Sequence, residues 1–331
     1  MRFQTVGSRV DLRRRNFLSK REIEERRKLS MKRSFVYVMI CLLFLGFISL
    51  SAAQQQTSQQ TQPLKQEVPA VSVQNVKGTI YQLKGGIGAN TGFFIGEREV
   101  VAIDAKMTED SAKEMIAEIK KLTSHPIRYI IITHSDGDHV NGLVGFPQGI
   151  DIISHEKTRV HMDKAFQSVQ ERAYLPNMTF SDRLSLYLGG GLRGTRIDLF
   201  YFGPAHTDGD AVVYFPDEKV AFIGDLIFIG RDMLIHRHKN GSSFGLVKVL
   251  KAILNLDAEI FISGHSDLAT KKDIQNLIQG VEEKQIRIQV LVKEGKTLEQ
   301  VKEIFHIEDQ PGGMRRMSLV EVIYLELTEK K

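Results

Sequence analysis

Apolar and polar positions repeat along this chain with two periods, and the switches between them outline an alternation of strands and helices. Short β-rich runs at 76–83, 91–95 and 100–103, separated by the turn residues Gly85-Gly86 and Gly96-Glu97, predict three strands. At 108–122 the period lengthens. Met115, Ile116, Ile119 and Leu122 share one stripe, with Lys113, Glu114 and Lys120 elsewhere, which predicts an amphipathic helix. Pro126 closes that segment, and Ile130-Ile131-Ile132 within 127–133 reads as a buried parallel strand. Strand signals return at 150–154, 197–202, 211–215, 220–223 and 260–262. Helices are predicted at 156–172 and 244–254, with surface helices at 271–281 and 298–305. The stretch 174–194, with Pro176 and Gly189-Gly190-Gly191, reads as a loop, a hairpin or a lid. The order ββα then β occurs in both halves, without a sequence repeat to argue from.

Ahead of this pattern lies a different kind of chain. Met31-Lys32-Arg33-Ser34, the apolar run 35–50 and Ser51-Ala52-Ala53 have the basic, apolar, small order of a secretory signal peptide, cleaved after Ala53 or retained as a signal anchor. Either outcome places the folded part outside the cytoplasm, periplasmic, secreted or tethered to the membrane. Residues 1–30 form a charged extension, which Met31 as the true start would remove. Within it Arg14-Arg15-Asn16-Phe17-Leu18 resembles a twin-arginine export signal. Residues 54–75, rich in Gln, Thr and Ser, read as a polar linker, and 76–331 as the folded domain.

Composition matters mainly through that leader. The chain has 331 residues, 42% of them hydrophobic, enough for a packed core. Its formal charge of +5 and pI of 9.1 invite a nucleic-acid reading, but residues 1–53 hold 12 Lys or Arg against 4 acidic residues. The remainder, with 33 basic and 36 acidic residues, is slightly acidic, so the reading loses its support. The expected partner is a small-molecule substrate. The single cysteine, Cys41, lies inside the apolar run, which leaves a cleaved protein without thiol chemistry or a disulfide framework.

The chemistry concentrates where the apolar run 130–132 ends. In Thr133-His134-Ser135-Asp136-Gly137-Asp138-His139, two imidazoles and two carboxylates fall within six residues, beyond the carboxyl end of a strand, where α/β sheets bind ligands. That set suits a divalent ion. Three more candidates follow: His206 in Gly203-Pro204-Ala205-His206-Thr207-Asp208-Gly209-Asp210, Asp225 in Phe222-Ile223-Gly224-Asp225, and His265 in Ile262-Ser263-Gly264-His265.

These four blocks, in this order, resemble the pattern of the metallo-β-lactamase fold superfamily. The resemblance implies an α/β protein built as a four-layer αββα sandwich with two divalent metal ions, zinc by family habit. It assigns His134, Asp136 and His206 to one metal, Asp138, His139 and His265 to the other, and Asp225 as the bridge. Asp138 would also orient the nucleophile and shuttle its proton. Asp104, at the end of Val100-Val101-Ala102-Ile103, matches an aspartate that supports a ligand from behind, or serves as a turn or cap residue. His236 and His238, two apart, are candidates for substrate contact, and His155 for the border of the site. His125, His161 and His306 read as incidental.

Asp136 departs from the family, which has histidine at that position. A third carboxylate lowers the positive charge of the centre, favours harder ions such as Mn or Fe, and, being shorter than imidazole, raises the alternative of a weak first site. The implied function is an exported hydrolase that cleaves an ester, thioester, lactone or amide bond, β-lactams included, by metal-bound hydroxide. The competing readings are a redox protein of the flavodiiron kind, which would need an external electron donor, and a binding protein with a degenerate metal site.

Overall fold

The structure is a computed structural model that describes residues 68–189, 194–308 and 316–329, together with Arg21, Glu24, Glu25, Arg27, Lys28 and Met31 in helical conformation. The apolar run 35–50, the twin-arginine-like segment and most of the linker lie outside the described residues. Among the described residues, no helix is long and apolar enough to cross a membrane.

Among the described residues, twelve strands form two sheets. The first runs in sequence order through β1 (Ser72–Lys77), β2 (Ile80–Lys84), β3 (Thr91–Ile95), β4 (Val100–Ile103), β5 (Ile127–Ile132), β6 (Asp151–His155) and β7 (Met178–Phe180). Its first four strands pair antiparallel and β4 to β7 pair parallel. The second sheet has the order β12 (Ile260–Ser263), β11 (Val220–Gly224), β10 (Val212–Phe215), β9 (Thr195–Phe200), β8 (Arg183–Leu188), and only β11 and β12 are parallel. The helices are α1 (Glu109–Leu122), α2 (Gly137–Val140), α3 (Glu156–Ala165), α4 (Val169–Arg172), α5 (Ser243–Leu254), α6 (Lys271–Lys293), α7 (Leu298–Ile304) and α8 (Leu319–Thr328).

The central strands are buried on both faces, so successive residues serve different cores. On β5, Ile131 joins a core shared with the second sheet, while Ile130 and Ile132 pack against Met115 and Ile119 of α1. On β10, Val213 and Phe215 face the first sheet, while Val212 and Tyr214 pack under α5, α6 and α8. Three apolar layers separated by two sheets make this the expected αββα sandwich. Phe93, Phe94, Phe215 and Phe261 are among its largest buried side chains.

Several elements differ from the reading of the sequence. Strand β1 begins at Ser72, inside the stretch read as linker. The helix expected over 156–172 is two: Phe166 turns inward to the core after α3, and Ser168 opens a new capping box with Glu171 for α4. In its described residues the stretch 174–194 is neither lid nor free loop but includes one arm of a hairpin, β8 pairing antiparallel with the β9 that follows. It supplies β7 to the first sheet and β8 to the second, and buried Phe180 and Leu188 tie both strands into the core between the sheets. Helix α6 continues to Lys293 because Ile274, Ile278, Val281 and Ile288 keep one buried stripe despite the charged Glu282-Glu283-Lys284. Helices α6 and α7 are surface helices, each turning one buried side, Ile274 to Ile288 and Val301, onto the outer core. Helix α8 completes that layer behind a Ser318–Glu321 capping box.

Candidate metal centre

Every ligand candidate sits where strands end or turn at one edge of the sandwich. Asp104 follows β4, His134 follows β5, Asp225 follows β11, His265 follows β12, and His206 lies in the loop joining β9 to β10. Two backbone contacts pin the sheets together there: Ala211 N–H donates to Thr133 O at 2.7 Å, and Asn90 N–H donates to Gly264 O at 2.6 Å.

The ring nitrogens are oriented from behind. Asp104, held at φ +60°, accepts Thr133 N–H on Oδ1 and both Thr133 Oγ1–H and His139 Nδ1–H on Oδ2, each at 2.8 Å. With its proton committed to Asp104, Thr133 Oγ1 can only accept from His134 Nδ1–H, 3.0 Å away. His206 Nδ1–H donates to Leu234 O at 2.7 Å. In all three imidazoles the Nδ1 partner is an acceptor, so Nε2 is the nitrogen left with a free lone pair. Asp104 thus orients two of the candidate ligands at once, His139 directly and His134 through Thr133. Asp210, buried, holds the His206 loop by accepting Thr207 N–H and Oγ1–H, the latter at 2.5 Å.

The Nε2 and carboxylate atoms converge into two groups. One ligand atom from each of His134, Asp136, His206 and Asp225 lies within 4.8 Å of the others, and the same holds for Asp138, His139 and His265. Asp225 touches both groups. Its Oδ1 is 3.2 Å from His139 Nε2, and its Oδ2 is 3.3 Å from His265 Nε2, 3.8 Å from His134 Nε2 and 3.9 Å from His206 Nε2. Three of these buried atoms, His134 Nε2, His139 Nε2 and Asp225 Oδ1, have no hydrogen-bond partner. A buried polar atom left so costs about 1–3 kcal/mol, and three on facing ligands fit a pair of cations. A separate cavity of about 450 Å³, lined by residues including Phe202, Pro204, Arg237 and Lys248, contains none of the ligands.

The electrostatics match a cation site. Burial alone would raise the Asp225 and Asp136 carboxyls. The His139 charge holds Asp225 well below the usual range instead, and the His134, His206 and His236 imidazoles beside it do the same for Asp136. Burial would lower His206 and His265, but Asp136 raises the first and Asp138 and Asp225 the second, each to about 9. Both values lie above the ordinary 6.5. In chelator-treated protein, therefore, these imidazoles contribute stability that is fully present below pH 6.5 and lost as the pH rises through about 9. Metal binding has the opposite sign, because each ligand must shed its proton first. Thermal unfolding is expected to show the midpoint of metal-free protein falling from pH 6.5 to 9 while the gap to metal-loaded protein widens; parallel curves would contradict this.

Not every candidate converges. His236 directs Nε2–H at Asp136 Oδ2 over 2.7 Å, so that nitrogen is committed to a ligand instead of facing open space for substrate. His238 is exposed and packs edge-on against His236 at 5.0 Å between centroids. His155 is buried at the head of α3, stacks on Tyr201 and faces Ser181 O, so it is a packing residue and not a border of the site. His161 pairs with Asp208 at 2.6 Å. Sequence reasoning missed Lys239, whose Nζ lies 2.7 Å from Asp136 Oδ1. Its one signal was proximity to His236 in the same loop.

Comparison with known proteins agrees with the geometry. The description "Metallo-beta-lactamase superfamily" matches residues 85–265, more than half of the chain. A 2,4-dinitroanisole O-demethylase subunit alpha from Nocardioides sp. (strain JS1661) is 27% identical over 60% of this chain, which spans 58% of that subunit's length. A metallo-beta-lactamase type 2 from Elizabethkingia meningoseptica is 25% identical over 74% of this chain and 94% of its own. Among solved structures, a metallo-beta-lactamase from Pontibacter korlensis superposes with a TM-score of 0.54 at 17% identity, covering 63% of this chain and 99% of its own, a likeness of fold. With all four ligand blocks inside or at the end of the matched segment, this chain belongs to the metallo-beta-lactamase superfamily.

Proposed function

We propose that this protein is an exported hydrolase of small molecules, cleaving an ester, thioester, lactone or amide bond at a dinuclear centre. A hydrolase-like role in the superfamily rests on the family match and the ligand geometry together. The observation that carries the proposal is the carboxylate of Asp225, shared between two ligand groups in which the buried Nε2 atoms of His134 and His139, one from each, have no hydrogen-bond partner. His134, Asp136 and His206 would hold one cation, Asp138, His139 and His265 the other. When bound, the ions supply Lewis acidity and water acidified to near neutral pH.

The chain's own residues supply position and proton handling. Asp104 fixes which nitrogen of His134 and His139 faces inward. Asp138 suits the proton carrier because it is the most open carboxylate of the set, 28% exposed against 12% for Asp136 and 4% for Asp225. His265 Nε2 at 2.8 Å keeps the Asp138 carboxyl below its ordinary value against the effect of burial, so it is ionised and able to accept a proton. Exposed Ile87 and Met107, next to the Ala89 N–H that donates to Asp138 O, and exposed Ile229, bonded to Ser266, flank this open side. They support a substrate with an apolar part. The basic, apolar and small segments at 31–53 support export.

The test is a substrate panel of esters, thioesters, lactones and β-lactams, with an aryl methyl ether added because of the demethylase relative, run with Zn, Mn and Fe in parallel. Turnover of one acyl substrate that stops on chelation is expected. Metal-loaded protein that turns over nothing, or an iron protein that instead consumes an electron donor, would overturn the hydrolase reading.

A further inference from the structure

We infer that Lys239 and His236 are positioning residues that turn Asp136 into a charge-compensated replacement for the imidazole the family carries at that place. The inference rests on the dinuclear reading above, and extends it to residues that the ligand pattern leaves out.

Asp136 is the N-cap of α2, yet its side chain makes no capping hydrogen bond, so its carboxylate is free of the backbone that usually claims such a residue. The side chain is held from the opposite sheet instead. Lys239 Nζ donates to Asp136 Oδ1 at 2.7 Å, and His236 Nε2–H donates to Oδ2 at 2.7 Å. Oδ2 in turn lies 3.1 Å from His206 Nε2 and 3.7 Å from His134 Nε2, facing the ligand group. Lys239 carries three N–H donors. All three are directed at one dipeptide: Asp136 Oδ1, Ser135 O and Ser135 Oγ, the last two at 3.1 Å each.

The loop that bears Lys239 is tied to the His206 loop. His236 N–H donates to His206 O and Lys239 O accepts from Asp208 N–H, at 2.8 and 2.9 Å. Lys239 ends a single 3-10 turn, and the left-handed Asn240 that follows returns the chain so that Gly241 N–H reaches His236 O. Lysine, histidine and the metal-facing loop therefore form one stitched unit that presses on Asp136.

Two deficits of aspartate relative to histidine are met by this unit. Aspartate adds a negative charge, and Lys239 cancels it, so Asp136 and Lys239 together are as neutral as an imidazole. The formal charge of the centre returns to that of Asp138 and Asp225 alone, which removes the electrostatic reason for expecting a harder ion. Aspartate is also shorter and freer to rotate. With Oδ1 held by Lys239 and one side of Oδ2 by His236, the remaining face of Oδ2 is set toward His134 and His206.

The test needs no substrate, so it is separable from the choice of bond cleaved. Zinc binding to the full chain is followed by chelator competition, with folding checked by circular dichroism, for wild type, Lys239→Met, Lys239→Arg and the double variant Asp136→His/Lys239→Met. Wild type is expected to bind two equivalents. Lys239→Met should keep one site and weaken the other by about 10- to 100-fold. Lys239→Arg should recover much of the loss by preserving charge, and the double variant should recover it by supplying the neutral ligand directly. Both sites unchanged in Lys239→Met, both weakened equally, or a double variant no better than Lys239→Met would each overturn the inference. Wild-type protein that binds no ion would overturn the dinuclear reading and this inference with it.

Discussion

A Gly264→Ala variant is expected to lose the dinuclear centre, although it changes no ligand. A Cβ at Gly264 would lie 2.2 Å from Asp225 Oδ1 and 2.7 Å from His139 Cε1, well inside the closest approach of real carbon atoms. Neither neighbour can yield without disturbing the site. Asp225 follows Gly224, which has φ +49° and is so close to the first sheet that its own Cβ would meet Thr133 Oγ1 at 2.7 Å. His139 is fully buried and fixed by Asp104. The added methyl must therefore turn the Asp225 carboxylate away or push β11 and β12 from β5, and both outcomes separate the groups that Asp225 joins. We expect about a 100-fold or greater loss of metal affinity and about 1–3 kcal/mol of stability. Metal titration together with thermal unfolding would check this; wild-type affinity for both ions would show that the contact at Gly264 is not what holds Asp225.

Asp104→Asn is expected to have the second largest effect, and to act through proton placement instead of volume. Asp104 accepts three hydrogen bonds, from Thr133 N–H, Thr133 Oγ1–H and His139 Nδ1–H. An asparagine amide can accept on one side only. If its NH₂ replaces Oδ2 it faces His139 and makes Nδ1 an acceptor, which moves the proton to Nε2, the nitrogen needed for the cation. If its NH₂ replaces Oδ1 it opposes Thr133 N–H, donor against donor, at a cost of about 1–3 kcal/mol. Metal affinity should fall by about 10- to 100-fold with the fold retained. Asp104→Ala, which leaves Thr133 N–H and His139 Nδ1–H buried without partners, should lose at least as much affinity and also lower the unfolding temperature. Equal and unperturbed affinities in both variants would reduce Asp104 to a turn residue.

The ligand set was legible in the sequence because each ligand block follows a strand that the pattern of apolar residues already marks. The run Ile130-Ile131-Ile132 before His134 and Val220 to Ile223 before Gly224-Asp225 are examples. The supporting set was not legible, since hydrogen bonds such as those of Asp104 to His139 or Lys239 to Asp136 join residues 35 and 103 positions apart. No periodicity encodes such pairs. The same limit explains what the pattern left out of the fold or left open. Leu319-Val320-Glu321-Val322-Ile323 is rich in β-branched residues and lacks a polar face, yet forms helix α8 because burial against α5 and α6 outweighs local preference. The proline and glycines of 174–194 left a loop, a hairpin or a lid open, and the hairpin is the one that β8 and β9 form, with Phe180 and Leu188 buried between the sheets.

The charge of the centre is where structure departs most from sequence. Read alone, Asp136 made the centre poorer in positive charge. With Lys239 beside it, the Asp136–Lys239 pair carries no net charge, and a preference for harder ions no longer follows from Asp136 itself.

The most direct test of the account is the metal content of full-length protein after loading with Zn, Mn or Fe and removal of free ion. The account predicts two equivalents per chain of at least one of these metals, falling in Asp225→Ala because that carboxylate serves both groups. Wild-type protein that retains less than one equivalent of every metal would contradict it.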